Sequence, residues 1–443
     1  MTDTMPESRY AADFEARAAR FEEEVSIENL DPVTQGSISK RITGPVSDWA
    51  TDFTHAEPEY AQNAPAVWKQ IRESVSIART ERFGGGWFPS TYADVSAVAY
   101  DTDHFSSRSP IPSNDRPPLN IAPIGDVPPI SADPPFHHDA RKLLLPAFTK
   151  TKVADLEPAV RGYCHELIDA LEGKDVIDAA YEYAQYIPMW VIGHMLGYPN
   201  DDMDKFRHYV EHALEGINDD REKRNEQLRD LFDYVEQQVL DHEANPREDL
   251  TDYLMNAEIF GMKLDGNMIV GASVLLLVAG IDTTWSAIGA SLWHMAQHPE
   301  DRDRWVNDPE VRGRAVEEFL RFYAPVTMGR LVKEDYEFQG KQFKAEDWVF
   351  LSFPSANRDP EKFEDADKFV IDRAVNNHAA FGLGIHRCVG SHLARQELRI
   401  ALDVWMERFP DFSLESEDTD DVRWSLGQVR GPRTLPVRIN KRS

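Results

Sequence analysis

The chain has 443 residues, enough for one large globular domain, and 42% of them are hydrophobic, which provides material for a substantial core. Acidic residues outnumber basic ones by 77 to 48, so the formal net charge is −29. Such a field repels nucleic acid and anionic lipid head groups, and we expect neither as a partner. The charge predicts a soluble monomer, and a salt-loving host remains an open alternative.

The cysteine content and the N-terminal residues bear on location. Two cysteines, Cys164 and Cys388, are too few for a disulfide framework, and Cys164 lies in an amphipathic helical pattern typical of a packed residue. Residues 1–50 predict a mobile or surface-wrapped lead without a signal peptide or anchor. The most apolar stretch, 268–281, is too short to cross a bilayer. We therefore expect a cytoplasmic protein with no membrane partner.

Proline dominates residues 105–135. Because proline at this density is incompatible with a helix or a central strand, a long irregular loop is predicted. Loops of this length in a compact domain are often binding loops, and the apolar residues here favour a pocket lining over the alternative of a surface linker.

Helical patterns fill residues 139–297 and end in one long helix from Asp265 to about Gln297, on the order of 45 Å in length. Residues 326–353 then alternate as in strands, and a final helix follows Cys388. We find no internal repeat. These patterns predict a mainly α fold with a small β region, organised as a single domain over residues 1–443.

A glycine-rich loop precedes the final helix: residues 381–390 read Phe-Gly-Leu-Gly-Ile-His-Arg-Cys-Val-Gly. The glycines at 382, 384 and 390 give clearance and permit unusual φ angles. Because a helix starts near Ser391, its positive end stabilises the sulfur of Cys388 as a thiolate. The pattern predicts a metal-ligating cysteine, against the alternative of an idle cysteine in a turn.

The long helix reads Ala279-Gly280-Ile281-Asp282-Thr283-Thr284 at its middle, directly after the wholly apolar run 274–278. A carboxylate beside such a run is costly unless it is paired or functional. The Thr283 hydroxyl can bond back to the carbonyl of Ala279, four residues earlier. From these residues alone, a solvated notch is an equal alternative.

With these two motifs the chain resembles the cytochrome P-450 superfamily over nearly its whole length. Further motifs of that family occur in the expected order: Asp133-Pro134-Pro135 with His137 and Arg141, Glu318-Phe319-Leu320-Arg321, Ala356-Asn357-Arg358-Asp359 and Arg430-Gly431-Pro432. The resemblance implies a triangular helical prism with haem b between the long central helix and the helix after the thiolate loop. It also implies a monooxygenase that inserts one oxygen atom of O2 into a substrate.

The resemblance further implies roles for individual residues. Cys388 is expected to be the axial ligand of the haem iron, and Asp282 with Thr283 to supply protons for oxygen activation. The other residues expected around the haem are Phe381, Gly382, Ala279 and Gly280, with His137, Arg141, Arg330 and His386 as partners of its propionates.

A structural ion cluster is implied as well, formed by Glu318, Arg321 and Arg373 and expected to brace the haem-binding side. If the family match failed, Glu318 and Arg321 would be an ordinary exposed helical pair.

The walls of the substrate site are expected to include Val278, Ala279, Val326 and Thr327. All but Thr327 are apolar, which favours a hydrophobic small molecule positioned by shape. Residues 279–295 resemble the haem domains fused to a phthalate-dioxygenase-type reductase. That finer resemblance implies oxidation of a small aromatic, such as an O-demethylation.

A separate electron partner is expected, because no flavin or iron–sulfur segment follows Cys388, with a chain cut from a longer fusion as the open alternative. Electrons from NAD(P)H would arrive through a ferredoxin and its reductase or through a phthalate-type reductase. Arg387, Arg395 and Arg399 could form its basic docking site, although haem and helix-end interactions would explain them equally well.

Three other interpretations stay open. A peroxide-driven peroxygenase has no need of Asp282 and Thr283. A non-catalytic haem sensor or carrier needs a thiolate but no proton-delivery pair. A metal site at residues 137–139 is disfavoured, because neighbouring histidines point to different faces of a helix.

Overall fold

The computed structural model describes residues 8–25, 31–116, 126–215, 221–418 and 421–440. Its α-helices, in chain order, are α1 (Ala11–Val25), α2 (Pro32–Ser39), α3 (Pro58–Ser74), α4 (Tyr92–Tyr100), α5 (Phe136–Leu144), α6 (Lys150–Leu171), α7 (Tyr186–Leu196), α8 (Met203–Glu215), α9 (Arg221–Ala244), α10 (Leu250–Asn256), α11 (Gly266–Gln297), α12 (Pro299–Asn307), α13 (Arg312–Phe322), α14 (Phe353–Ala356) and α15 (Ser391–Arg408). The helical prediction is thereby confirmed.

The strands are short. They are β1 (Ile77–Thr80), β2 (Gly86–Pro89), β3 (Phe105–Ser106), β4 (Val176–Asp178), β5 (Glu258–Ile259), β6 (Met262–Lys263), β7 (Thr327–Val332), β8 (Tyr336–Phe338), β9 (Lys341–Phe343), β10 (Trp348–Ser352), β11 (Phe412–Leu414) and β12 (Pro436–Ile439). Five of them form one sheet in the order β1-β2-β10-β7-β3, and β11-β12-β4 form a second.

The predicted β region at residues 326–353 is correct, since it contains β7 to β10. The prediction was incomplete, however, because the chain draws β1 and β2 from residues 77–89 and assembles a second sheet from three distant segments. Strands of two to four residues carry too little alternation to be recognised from sequence, and their pairing depends on the packed helices around them.

The long helix α11 begins and ends close to where the sequence predicts. The Asp265 side chain accepts a hydrogen bond from the Met268 N–H and caps the first turn. α11 packs against α7, α9 and α15, and 67% of its most apolar window is buried. Its length and hydropathy would permit a membrane span, but this burial makes it the core helix of the domain.

Two helices lie in the predicted N-terminal lead. α1 packs on α9 and α11, and α2 packs on the short turn at residues 82–84. At the other end of the domain, α15 starts at Ser391, as predicted, three residues after Cys388. α15 packs against both α6 and α11, so the two helices of the expected haem slot are neighbours.

Candidate active site

The glycine-rich loop folds back on itself before α15. The Cys388 N–H donates to the Phe381 carbonyl at 2.7 Å, while Gly382 and Gly384 adopt φ angles of 73° and 68°. A Cβ on Gly384 would lie 2.3 Å from the Ala99 carbonyl oxygen of α4, so only glycine fits there.

The third glycine of the loop plays a different part. Gly390 has an ordinary φ of −81° and stands at the N-cap of α15, so the expectation of an unusual φ was wrong there. Its N–H bonds to the Cys388 sulfur and, together with Arg141, favours the thiolate. Desolvation by the surrounding protein atoms has the larger effect, and it raises the pKa of the Cys388 thiol. The loop therefore presents a sulfur that a positive partner would stabilise in its anionic form.

Four nitrogen-bearing side chains converge beside this loop. The rings of His137 and His386 lie 4.2 Å apart, and Arg141 donates to the Arg387 carbonyl. Neither Nε2 of the two histidines has a hydrogen-bond partner among the residues that the structure describes. Arg330 is 4% exposed and completes the group.

Burial disfavours the charged forms of the basic side chains in this cluster. Desolvation, with the neighbouring arginines, lowers the pKa of His137 to about 4 and that of His386 to about 2. Desolvation also lowers the pKa of Arg330 to about 10. Orphaned donors beside two arginines fit an acidic ligand, and the two propionates of haem have that chemistry.

On α11, one face is open while most of the helix is buried. Ala279 is exposed, and Val278 and Thr283 are half-buried. The Thr283 hydroxyl donates to the Ala279 carbonyl at 2.9 Å, as the sequence predicts. This contact places the hydroxyl on the open face. The lone pairs of the Thr283 oxygen remain available to accept a hydrogen bond.

Asp282 points into the protein and is completely buried. Its Oδ1 lies 2.7 Å from Nη2 of Arg433, and the same guanidinium reaches Glu215 Oε1 at 2.5 Å and Ser286 Oγ at 3.2 Å. Among the described residues neither oxygen of Asp282 receives a well-aligned hydrogen bond, so its contact with Arg433 is a charge pair.

The Arg433 guanidinium thus pairs with two carboxylates, those of Asp282 and Glu215. Desolvation is the main cause that raises the pKa of Asp282 to about 7, and the charge of Glu215 adds to it, while Arg433 opposes both. Glu215 is half-buried at the end of α8, so its negative charge is better solvated than that of Asp282. The result is a buried carboxyl that titrates near neutral pH.

The sequence analysis missed Arg433 and Glu215. Arg433 directly follows the quoted Arg430-Gly431-Pro432 motif, and a buried Asp282 requires a cation, so a candidate could have been sought there. Glu215 carried no such signal, because it is one charged residue among several of both signs in α8.

Two predicted site residues face elsewhere. A Cβ on Gly280 would lie 3.1 Å from Ile192, so this glycine allows close packing of α7 rather than clearance on the open face. Thr327 is 2% exposed, and its hydroxyl lies 3.4 Å from Ser352 Oγ. Because side chains alternate along a strand, Thr327 and Arg330 point to opposite faces of β7. The Thr327 side chain does not line the site. Val326 is half-buried and directly precedes β7.

The predicted ion cluster is present. Arg321 donates to both oxygens of Glu318 at 2.8 Å, and Arg373 Nε donates to Oε2 at 3.0 Å. Arg321 also donates to the Asn357 carbonyl, and the Asn357 side chain accepts from the Ala379 N–H at 2.7 Å. The cluster is thereby connected to the segment that leads into the thiolate loop.

The proposed basic docking site is largely neutralised within the chain. Arg395 pairs with Glu317, and Arg399 pairs with Glu157 and Asp403. Arg387 is exposed next to Cys388. In the described part of the chain, histidine, cysteine and acidic side chains form no cluster of three that could hold a metal ion, so residues 137–139 do not form such a site.

Comparison with known proteins agrees with this geometry. The family model for cytochrome P450 matches residues 194–308 and 311–433. The polyketide biosynthesis cytochrome P450 PksS of Bacillus subtilis is 31% identical over 400 residues, which cover 86% of this chain and 97% of that protein. The methyl-branched lipid omega-hydroxylase of Mycobacterium tuberculosis is 33% identical over 425 residues, covering 92% and 97%.

Solved structures show the same fold. The structure of CYP109E1 from Bacillus megaterium in complex with testosterone has a TM-score of 0.79 and 30% identity, and covers 87% of this chain and all of that one. The PksS structure gives a TM-score of 0.80.

The chain belongs to the cytochrome P450 family. Its fold is that of the family, and the chain is accordingly an oxidoreductase, a haem-dependent monooxygenase. The finer resemblance to haem domains fused with a phthalate-type reductase stays a prediction.

Proposed function

We propose that Cys388 is the axial thiolate ligand of the haem iron and that His137, Arg141, Arg330 and His386 bind the propionates. Support comes from the thiolate loop at the start of α15 and from the two orphaned ring nitrogens beside two arginines. When bound, haem supplies the activation of O2, and a thiolate donor favours cleavage of the O–O bond.

Proton supply is the part that the chain's own residues perform. Asp282, with a pKa of about 7, holds a proton on a buried carboxyl oxygen next to Thr283 in the sequence. Arg433 orients that carboxyl, and the half-buried Glu215 connects Arg433 to the surface. Thr283 presents its hydroxyl on the open face, where it relays the proton as a general acid. This arrangement of Asp282 and Thr283 carries the proposal.

The substrate is a hydrophobic organic molecule that lies against the open face of α11 formed by Val278 and Ala279, with Val326 nearby. Hydroxylation or O-dealkylation fits this apolar wall. The sequence favours a small aromatic. The names of the relatives instead mention polyketide biosynthesis, a methyl-branched lipid and a testosterone complex. A spin-state titration of the ferric protein with methoxyaromatics, fatty acids and steroids distinguishes these classes.

Electrons come from NAD(P)H through a separate cytoplasmic partner, either a ferredoxin with its reductase or a phthalate-type reductase. Arg387 is exposed beside the thiolate loop and offers positive charge on a protein of net charge −29. An acidic electron carrier is therefore favoured at this surface. The protein acts as a monomer.

The test has two steps. First, the dithionite-reduced protein with CO should give the strongly red-shifted Soret band of a thiolate-ligated haem, and an unshifted band from fresh protein would contradict the assignment of Cys388. Second, Thr283→Ala should bind haem normally but divert NAD(P)H electrons to hydrogen peroxide.

Thr284→Val is the matched control, because it removes the neighbouring hydroxyl from a buried position. Equal coupling in wild type and Thr283→Ala would refute the role of Thr283. Full activity with hydrogen peroxide alone would instead favour a peroxygenase. Haem binding without any ligand-induced spectral change would favour a sensor or carrier.

A further inference from the structure

Three side chains from separate segments meet at the start of the thiolate loop, residues 381–390. They are Glu317 of α13, His378 just before the loop and Arg395 of α15. The proton supply through Asp282 and Thr283 involves none of them, so their arrangement calls for a different explanation.

Arg395 and Glu317 form an ion pair with two hydrogen bonds. Nε of Arg395 donates to Oε1 of Glu317 at 2.5 Å, and Nη2 donates to Oε2 at 2.9 Å. Such a fork fixes the position of a guanidinium as well as its charge. Nη1 of Arg395 donates to the Ser391 carbonyl at 3.1 Å, in the first turn of α15. This loop ion pair, Arg395 with Glu317, is therefore fixed to the helix start that follows Cys388.

His378 holds the carboxylate of the loop ion pair. Its Nδ1 accepts from the Ala380 N–H at 3.1 Å, so the ring proton lies on Nε2, which donates to Oε2 of Glu317 at 3.1 Å. The His378 side chain is 3% exposed. Desolvation by itself would raise the pKa of Glu317, but the bonds from His378 and Arg395 outweigh it and lower that pKa to about 2. Glu317 is therefore ionised near neutral pH.

The loop ion pair contacts the thiolate loop at its first residue. The guanidinium carbon of Arg395 lies 4.4 Å from the ring centre of Phe381, a cation–π contact. The Phe381 carbonyl in turn accepts the N–H of Cys388 at 2.7 Å. Desolvation raises the pKa of the Cys388 thiol, and the positive charge of Arg395 opposes that rise. Arg395 thus acts on Cys388 both through the loop backbone and through its charge.

We propose that the loop ion pair tunes the reduction potential of the haem site, with Arg395 and Glu317 as positioning residues that act through the Cys388 sulfur. The inference rests on the proposed ligation of haem by Cys388. In the first electron transfer the reduced carrier loses one electron and ferric iron becomes ferrous, so the site gains one negative charge. Because a cation near the sulfur attracts that charge, Arg395 favours the reduced form, and Glu317 limits the effect.

The experiment measures the midpoint potential of the ferric–ferrous couple in full-length holoprotein, by spectroelectrochemical titration at fixed pH and ionic strength. Arg395→Gln should lower the equilibrium constant for reduction about three- to tenfold, and tenfold corresponds to about 59 mV for a one-electron couple. Glu317→Gln leaves Arg395 without its carboxylate and should raise the constant about two- to threefold. A loosened loop alone would shift both variants in the same direction.

Arg399 and Glu157 provide the matched control pair. They pair at 2.9 Å one turn further along α15, and both side chains are 35% exposed, against 26% and 30% for Arg395 and Glu317. Arg399 also pairs with Asp403 rather than with the thiolate loop. Arg399→Gln and Glu157→Gln change the net charge in the same way and should each shift the constant less than about twofold. Arg395→Lys keeps the charge and should retain most of the wild-type potential.

Shifts of one sign in Arg395→Gln and Glu317→Gln, or shifts no larger than those of the control pair, would overturn the inference. If Arg395→Gln takes up no haem, Glu317→Gln compared with Glu157→Gln decides alone: a larger rise supports the inference, and an equal or absent rise overturns it. A wild-type protein whose reduced CO complex lacks the red-shifted band would overturn the proposed function and this inference with it. A normal band with unaltered potentials in the variants would overturn this inference alone.

Discussion

Two completely buried carboxylates of this protein have opposite surroundings. Glu318 accepts five hydrogen bonds, from Arg321, Arg373, Asn376 and the Val370 N–H. Asp282 has a charge contact with Arg433, which it shares with Glu215, and no well-aligned hydrogen bond within the described chain.

The difference separates a charge held by its partners from the carboxyl that we propose as a proton donor. A buried carboxylate that accepts hydrogen bonds on both oxygens is held in one position. A buried charge with an incomplete set of partners is destabilised, so its protonated form becomes accessible near neutral pH. Burial alone does not distinguish the two roles, whereas the count of hydrogen bonds does.

The largest effect is expected from breaking the Glu318 cluster. Glu318→Gln leaves Arg321 and Arg373 buried without a counter-charge, which should cost about 3 to 5 kcal/mol of unfolding free energy and reduce haem incorporation. Thermal unfolding and the haem-to-protein ratio measure this. Glu317→Gln, which alters a half-exposed pair with Arg395, should cost clearly less. Equal stability of wild type and Glu318→Gln would contradict a structural role for Glu318.

At Asp282 we expect a smaller loss of stability than at Glu318 but a large loss of activity. Asp282→Asn should retain haem but lower coupled product formation about 100-fold, because the proton source for Thr283 is lost. Product and hydrogen peroxide formed per NAD(P)H, with a surrogate ferredoxin and reductase, measure this. Coupling as high as in wild type would show that protons arrive by another route.

The pH dependence follows from the raised pKa. Because Asp282 must be protonated to act, wild-type coupling should fall as pH rises through about 7, and Asp282→Asn should lack that transition. Between pH 3.8 and about 7 folded Asp282 holds a proton that the unfolded chain has released, so its contribution to the unfolding free energy falls as pH rises. Denaturant titrations at several pH values check the sign.

The smallest effect is expected at Glu215. Its charge raises the pKa of Asp282, so Glu215→Gln should move the midpoint of the coupling transition to lower pH without abolishing it. Glu310→Gln, a change in an exposed residue outside this group, serves as control. A midpoint unchanged from wild type would show that Arg433 screens Glu215 completely from Asp282.

Much of the site could be predicted because its motifs are local. The back-bond from Thr283 to Ala279 follows from helical spacing, and the start of α15 after Cys388 follows from glycine content and hydrophobic pattern. The contacts of Glu318 with Arg321 also lie within one helix turn. Arg373, by contrast, came from the family resemblance.

The rest depended on contacts between distant segments. The pairing of Asp282 with Arg433 joins α11 to the C-terminal region. The side to which Gly280 turns depends on the position of α7, and the burial of Thr327 depends on the pairing of β7 with β10. Periodicity identifies a face of a helix or strand but not which neighbour packs on it.

By itself, the sequence predicted the helical core, the glycine-rich loop before α15 and the contact of Thr283 with Ala279, while the resemblance to the cytochrome P-450 superfamily implied the roles of Cys388, Asp282 and the ion cluster. The features predicted from the residues themselves depend on neighbouring positions, where helix geometry and glycine conformations leave few alternatives. Only the tertiary structure decided that Arg433 and Glu215 flank Asp282 and that α2 contacts the proline-rich region at Arg116. Such contacts depend on how packed elements exclude water and bring charges together, which no local pattern encodes.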